Sequence, residues 1–128
     1  MSDPKPEVGS VAWVDLTVPE AETLRDFYRD VTGWKPVPVS MGDYSDFTMN
    51  TPEGDRPVTG VCHARGGNTD LPAQWLIYII VADLDASIAR CRELGGKVVA
   101  GPKSMGPQAR FCVIQDPAGA VAALYQAA

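Results

Sequence analysis

Residues 13–34, "WVDLTVPEAETLRDFYRDVTGW", align without a gap on residues 76–97, "LIYIIVADLDASIARCRELGGK", at a constant offset of 63. Val14 falls on Ile77, Leu16 on Ile79, Val18 on Val81, Arg29 on Arg92 and Gly33 on Gly96. Self-similarity at a fixed spacing means that one supersecondary unit is used twice. Farther along, "PEG" at 52–54 returns as "PAG" at 117–119 at an offset of 65, so the two copies differ by a few residues.

Each copy changes period in the same order. Residues 11–18 are rich in Val and read as a strand. Pro19 suits a first helical turn, and Ala21, Leu24, Phe27, Tyr28 and Val31 recur at helical spacing until Gly33 stops the helix. In the second copy Asp83 is the expected N-cap, Leu84, Ile88, Cys91 and Leu94 form the apolar stripe, and Gly95-Gly96 is the left-handed stop. Short strands follow each helix, predicted at 36–41, 44–50 and 58–64, then at 97–100, 109–115 and 120–126, with "GPKSMGPQ" (101–108) as a loop. The polar, aperiodic "ARGGNTDLP" (64–72) reads as a connection. Each copy is therefore βαβββ.

The 128 residues are 45% hydrophobic, enough for one core and too few for two ordinary domains. We expect a flexible stretch 1–8 and a single domain 9–128, with module one at 9–64, a linker at 65–73 and module two at 74–126. A net charge of −5 provides no basic field for phosphates, so neither nucleic acid nor a membrane surface is an expected partner. The longest apolar run, Trp75 to Ala82, is far short of the roughly 20 residues that span a bilayer, and "MSDPKPEV" is no signal segment. A cytoplasmic location is expected. Cys62, Cys91 and Cys112 are odd in number and widely spaced, which fits buried free thiols better than disulfides or a zinc pair.

The strand-helix "DLTVPEAETLRDFYRDVTGW", the second "VADLDASIARCRELGGKVVAGP" and the terminal "RFCVIQDPAGAVAALYQ", in this order, resemble the vicinal oxygen chelate superfamily, which includes glyoxalase I, bleomycin-resistance proteins and extradiol dioxygenases. The resemblance covers about residues 9–126, and is nearest to a small glyoxalase-like branch. It implies an α+β fold in which two tandem βαβββ modules form a cup-shaped mixed sheet with helices on the outer face, often as a homodimer. In metal-dependent relatives, imidazole and carboxylate side chains from the first and last strands of each module hold the cation. Carried over one by one, those places fall on Trp13, Leu76, Ala123 and, by pairing Val61 with Val121, His63. Trp, Leu and Ala cannot coordinate a divalent ion, so the usual metal set is absent and no cofactor is expected.

Alternation along the first strand puts Trp13, Asp15 and Thr17 on the face that would line the cup, and the repeat makes Asp15 the counterpart of Tyr78. Asp15 is either a structural hydrogen-bond acceptor or a ligand anchor and general base. His63, the single histidine, is either a satisfied strand-end residue or a polar ligand contact or base. Trp13 in a vacated metal position would offer a flat apolar wall for a planar ligand. Arg110 could clamp a ligand carboxylate or lie solvated at a strand start, and Met105 sits where a lid could form. The ligand-contact candidates are thus Trp13, Asp15, His63, Tyr78 and Arg110, with Asp15 and His63 the catalytic candidates. The expected function is metal-independent binding of a small apolar or aromatic molecule. The alternatives are a lyase, isomerase or dioxygenase, using a metal or Asp15 and His63 as acid and base, and a dimeric interaction module whose cup is filled.

Overall fold

Val-rich residues form β1 (Val11–Val18), and the chain then turns through Pro19 and Glu20 into α1 (Ala21–Thr32). The computed structural model describes residues 6–128, so part of the expected flexible 1–8 stretch lies outside the described residues. Next come β2 (Lys35–Ser40), β3 (Ser45–Asn50) and β4 (Pro57–His63). A 3-10 turn at Gly66–Asn68 leads to β5 (Trp75–Ile80), α2 (Leu84–Glu93), β6 (Lys97–Ser104), β7 (Arg110–Gln115) and β8 (Val121–Gln126). The fold is α+β, with the βαβββ order twice. Two compact units emerge among the described residues, one running from Val14 to Trp75 and the other comprising residues 6–13 together with Leu76–Ala128.

In the first unit the strands lie in the order β2-β3-β4-β1, with β1 parallel to β4 and the remaining pairs antiparallel. One sheet face carries Leu16, Val18, Phe47, Met49 and Val61, which close a core with Ala21 of α1. Leu24, Tyr28, Trp34 and Trp75 pack on its rim, and the Trp75 indole N–H donates to the Tyr28 hydroxyl at 3.1 Å. Burying each large apolar side chain contributes about 1.5–3 kcal/mol, so this layer fixes which side of the sheet the helix covers.

The helix is one-sided in a narrower sense than its period predicts. Phe27 and Val31 are 53% and 65% exposed, because Ala21, Leu24 and Tyr28 already span the line of contact with the sheet. Pro19 falls outside the first turn, since the Glu20 carbonyl accepts the first helical bond, from Leu24 N–H. Gly33 ends the helix as predicted, at φ 80° with its N–H on the Arg29 carbonyl.

The second unit repeats the arrangement in the order β5-β8-β7-β6, with β5 parallel to β8. Leu84, Ile88, Cys112 and Leu124 form its helix-side core, and Asp83 caps α2 by accepting the Ala86 N–H at 3.1 Å. Leu94 does not belong to the stripe. It follows the last helical residue and is 63% exposed. The expected loop at 101–108 is half strand, because β6 continues through Ser104 across two register shifts against β7. The first residues of this unit join β5 through Gly9 N–H to the Ile80 carbonyl and Ile80 N–H to that of Ser10.

Candidate functional site

The face of the first unit's sheet turned away from α1 is polar. Directly paired residues share a face, so Val37, Thr48, Gly60 and Asp15 form one row across β2, β3, β4 and β1. Thr17 and Cys62 follow in the next row, with Val39 and Asp46 paired beside them. Thr17, Asp46 and Asn50 are buried, while Asp15, Thr48 and Cys62 are half-buried. Asn50 is held by the Thr48 hydroxyl at 3.0 Å and reaches Asp55 Oδ1 at 3.1 Å.

Two carboxylates flank the Cys62 thiol. Asp15 Oδ1 lies 4.0 Å from Sγ, and Asp46 also faces the sulfur. Burial first, and then the charges of Asp15 and Asp46, push the thiol far above its usual range, so Cys62 is neutral and a poor nucleophile. Burial likewise pushes Cys112 up to about 11. All three thiols are free.

His63 does not share the Asp15 face. Alternation along β4 sets it with Val61 on the helix side, at the strand end. Asp46 Oδ1 accepts its backbone N–H at 2.8 Å and lies 3.1 Å from Nδ1, which must carry the ring proton to satisfy that carboxylate. Nε2 is 3.7 Å from Glu22, and Tyr44 and Phe47 close on the ring with centroids at 5.3 and 6.3 Å. Arg65 stacks over Tyr44 at 4.0 Å. Both ring nitrogens thus face carboxylates of the protein itself.

The other candidates have other surroundings. Trp13 is half-exposed, on the same face of β1 as Asp15. Tyr78 lies in the second unit, 7% exposed, with its ring 6.1 Å from Phe111. It sits beside Ala123 in the β5–β8 ladder, on a face where Leu76, Ile80, Val113 and Ala123 are also buried. Arg110 grips Asp85 at the start of α2 with two bonds of 3.1 and 3.0 Å, and its guanidinium lowers the Asp85 carboxyl below its ordinary range. Met105 is 50% exposed at the turn between β6 and β7.

The four places that the family resemblance would give to a cation are Trp13, Leu76, Ala123 and His63 in this sequence. Leu76 and Ala123 are sealed at 1% and 0% exposure, and His63 is engaged by Asp46. Among the described residues, no three His, Cys, Asp or Glu side chains come together in a metal-binding group. These residues do not fit a divalent cation. Asp46 and Gly60 did not figure among the sequence candidates. Their signals were a lone carboxylate entering the alternating "SDFTMN" and a glycine inside the strand "PVTGVCH".

No helix among the described residues is long and apolar enough to cross a membrane. The profile of the Glyoxalase/Bleomycin resistance protein/Dioxygenase superfamily matches residues 10–124. CFP32 of Mycobacterium tuberculosis, whose name marks it as a presumed glyoxylase, is 32% identical over 123 residues, covering 93% of this chain and 46% of that protein. The anthracycline biosynthesis protein DnrV of Streptomyces peucetius is 29% identical over 129 residues, covering 92% and 47%. The chain thus spans about half the length of these relatives. Among solved structures, a methylmalonyl-CoA epimerase of Streptomyces coelicolor in complex with 2-nitronate-propionyl-CoA shares the fold at a TM-score of 0.54 and 14% identity, over 95% of this chain and 99% of that one. A superfamily member from Vibrio splendidus does so at 0.54 and 16%, over 89% and 95%. With its repeated βαβββ units and this match along nearly its whole length, the chain belongs to the glyoxalase/bleomycin resistance protein/dioxygenase superfamily.

Proposed function

We propose that the chain binds a planar, largely apolar small molecule on the polar face of its first unit, without a resident divalent metal. One observation carries this reading. Three of the four places that would hold the cation have side chains without a coordinating atom, and the fourth, His63, is turned to Asp46 and Glu22. What the first unit's face offers instead is the half-buried Asp15 carboxylate, with Thr48 and Val37 in its row, and the half-buried Trp13 comes two residues earlier on the same strand. A flat indole suits a ring, and a few fixed polar groups set its orientation. The name of DnrV, an anthracycline biosynthesis protein, agrees with such a ligand class. A homodimer, the arrangement the family resemblance implies, is the proposed working form.

A second reading makes Asp15 a general base in a metal-free isomerase or lyase, favoured by its half-buried carboxylate next to the neutral Cys62. Asp15→Asn then abolishes turnover while the fold survives. The binding reading is tested by thermal denaturation against a panel of polycyclic and monocyclic aromatic compounds. A ligand at 100 times its Kd adds about 2.7 kcal/mol of stability. No stabilisation by any member refutes binding and leaves the closed interaction module.

A further inference from the structure

Gly60 lies inside β4, where a glycine weakens a strand and leaves nothing to pack. Its backbone is outside the left-handed region, so conformation does not call for glycine. What a side chain there would meet first is the end of the Asp15 side chain, which would have to swing aside. A Cβ at position 60 would collide with Asp15 Oδ1 and stand 3.5 Å from its Cγ and 3.6 Å from Cys62 Sγ. The two residues are register partners in the parallel β1–β4 ladder, so the Asp15 carboxylate lies across the neighbouring strand rather than standing up from its own.

We propose that Gly60 is a positioning residue that lets the Asp15 carboxylate lie over β4, and that this carboxylate makes the face select ligands that donate hydrogen bonds, such as phenols and amines, over carboxylates and phosphates. The selectivity rests on the binding reading above, because it names the ligand class of the same face. The local charges agree with it. Asp46 adds a second carboxylate on the far side of Cys62, and Lys35, on the same face at the end of β2, is paired with Asp55 at 3.5 Å. An anion entering there would meet acceptors and a thiol whose ionisation the same charges already oppose.

The experiment has two arms. In the first, Gly60→Ala, Asp15→Ala, the double variant and the isosteric Asp15→Asn are compared by thermal melting and by alkylation of Cys62 with iodoacetamide, read by peptide mass spectrometry at alkaline pH. Gly60→Ala pushes the Asp15 carboxylate aside and lowers Tm measurably. Adding Asp15→Ala recovers most of that loss, because the new methyl then occupies the space of the carboxylate. Asp15→Asn speeds Cys62 alkylation at least about threefold, because the nearby negative charge is gone. Additive melting losses, or an unchanged alkylation rate in Asp15→Asn, overturn the positioning role. In the second arm naphthol, naphthylmethylamine and naphthoate are compared by thermal shift. The first two stabilise the protein and naphthoate does so at least about tenfold more weakly in apparent Kd, a gap that narrows in Asp15→Asn. Equal binding of naphthoate overturns the selectivity and leaves small-molecule binding standing. Absence of any shift overturns both, while the melting arm still reads the Gly60–Asp15 placement.

Discussion

Replacing Asp46 by Ala removes the acceptor that holds the end of β4. Asp46 Oδ1 takes the His63 backbone N–H at 2.8 Å and faces the ring Nδ1 at 3.1 Å. Both side chains are nearly closed to solvent, at 11% and 12% exposure, so water cannot freely replace the lost partner. A hydrogen bond to a charged group contributes about 1.5–3 kcal/mol, and two such bonds lost together predict a destabilisation of about 3–5 kcal/mol. Asp46→Asn keeps one acceptor oxygen and loses the charge, for an expected cost of about 1–2 kcal/mol. Glu22, which reaches the other ring nitrogen only at 3.7 Å and is 69% exposed, is the control, and Glu22→Gln changes stability little. Urea unfolding followed by tryptophan fluorescence measures all three through the midpoint at constant m. If Asp46→Ala stays within about 1 kcal/mol of the parent, then Asp46 is not what holds His63 in place.

Other perturbations separate the remaining layers of the fold. Met49 is fully buried in the first core, so Met49→Ala costs about 2–5 kcal/mol in chemical denaturation. Asp83→Ala removes the α2 cap and costs about 1 kcal/mol, read as a lower urea midpoint. Arg110 lowers the Asp85 carboxyl, so the unfolded chain takes up that proton more readily than the folded one. The pair therefore stabilises at pH above the ordinary carboxylate range and is lost as pH falls through the lowered folded value. Arg110→Gln melts below the parent at neutral pH, and the two Tm curves converge in acid.

The repeat made the architecture legible, because Gly33 and Asp83 act through local backbone chemistry that does not depend on what packs nearby. Side-chain burial was less legible. Phe27, Val31 and Leu94 obey the helical period and are exposed, since how wide a stripe the sheet covers is a tertiary property. The site divides in the same way. The shared face of Asp15 and Trp13 was legible because alternation along a single strand is enough to assign it. His63 was assigned to the same space, yet strand parity puts it on the helix side, where Asp46 reaches it from the strand end. Arg110, at the start of a strand, gave no sign of its partner Asp85, which is 25 residues earlier on a helix. Gly60 was overlooked because its meaning lies in a neighbour 45 residues away, visible only once β1 and β4 are paired.

On the proposed reading, this member of the superfamily binds a planar small molecule with its strand-face side chains rather than through a cation. Isothermal titration of naphthol into the protein, before and after exhaustive treatment with EDTA, tests it most directly. The predicted result is the same Kd in both samples, with binding weakened in Trp13→Ala. Loss of binding after chelation, restored by adding Fe, Mn, Ni or Zn, would contradict it.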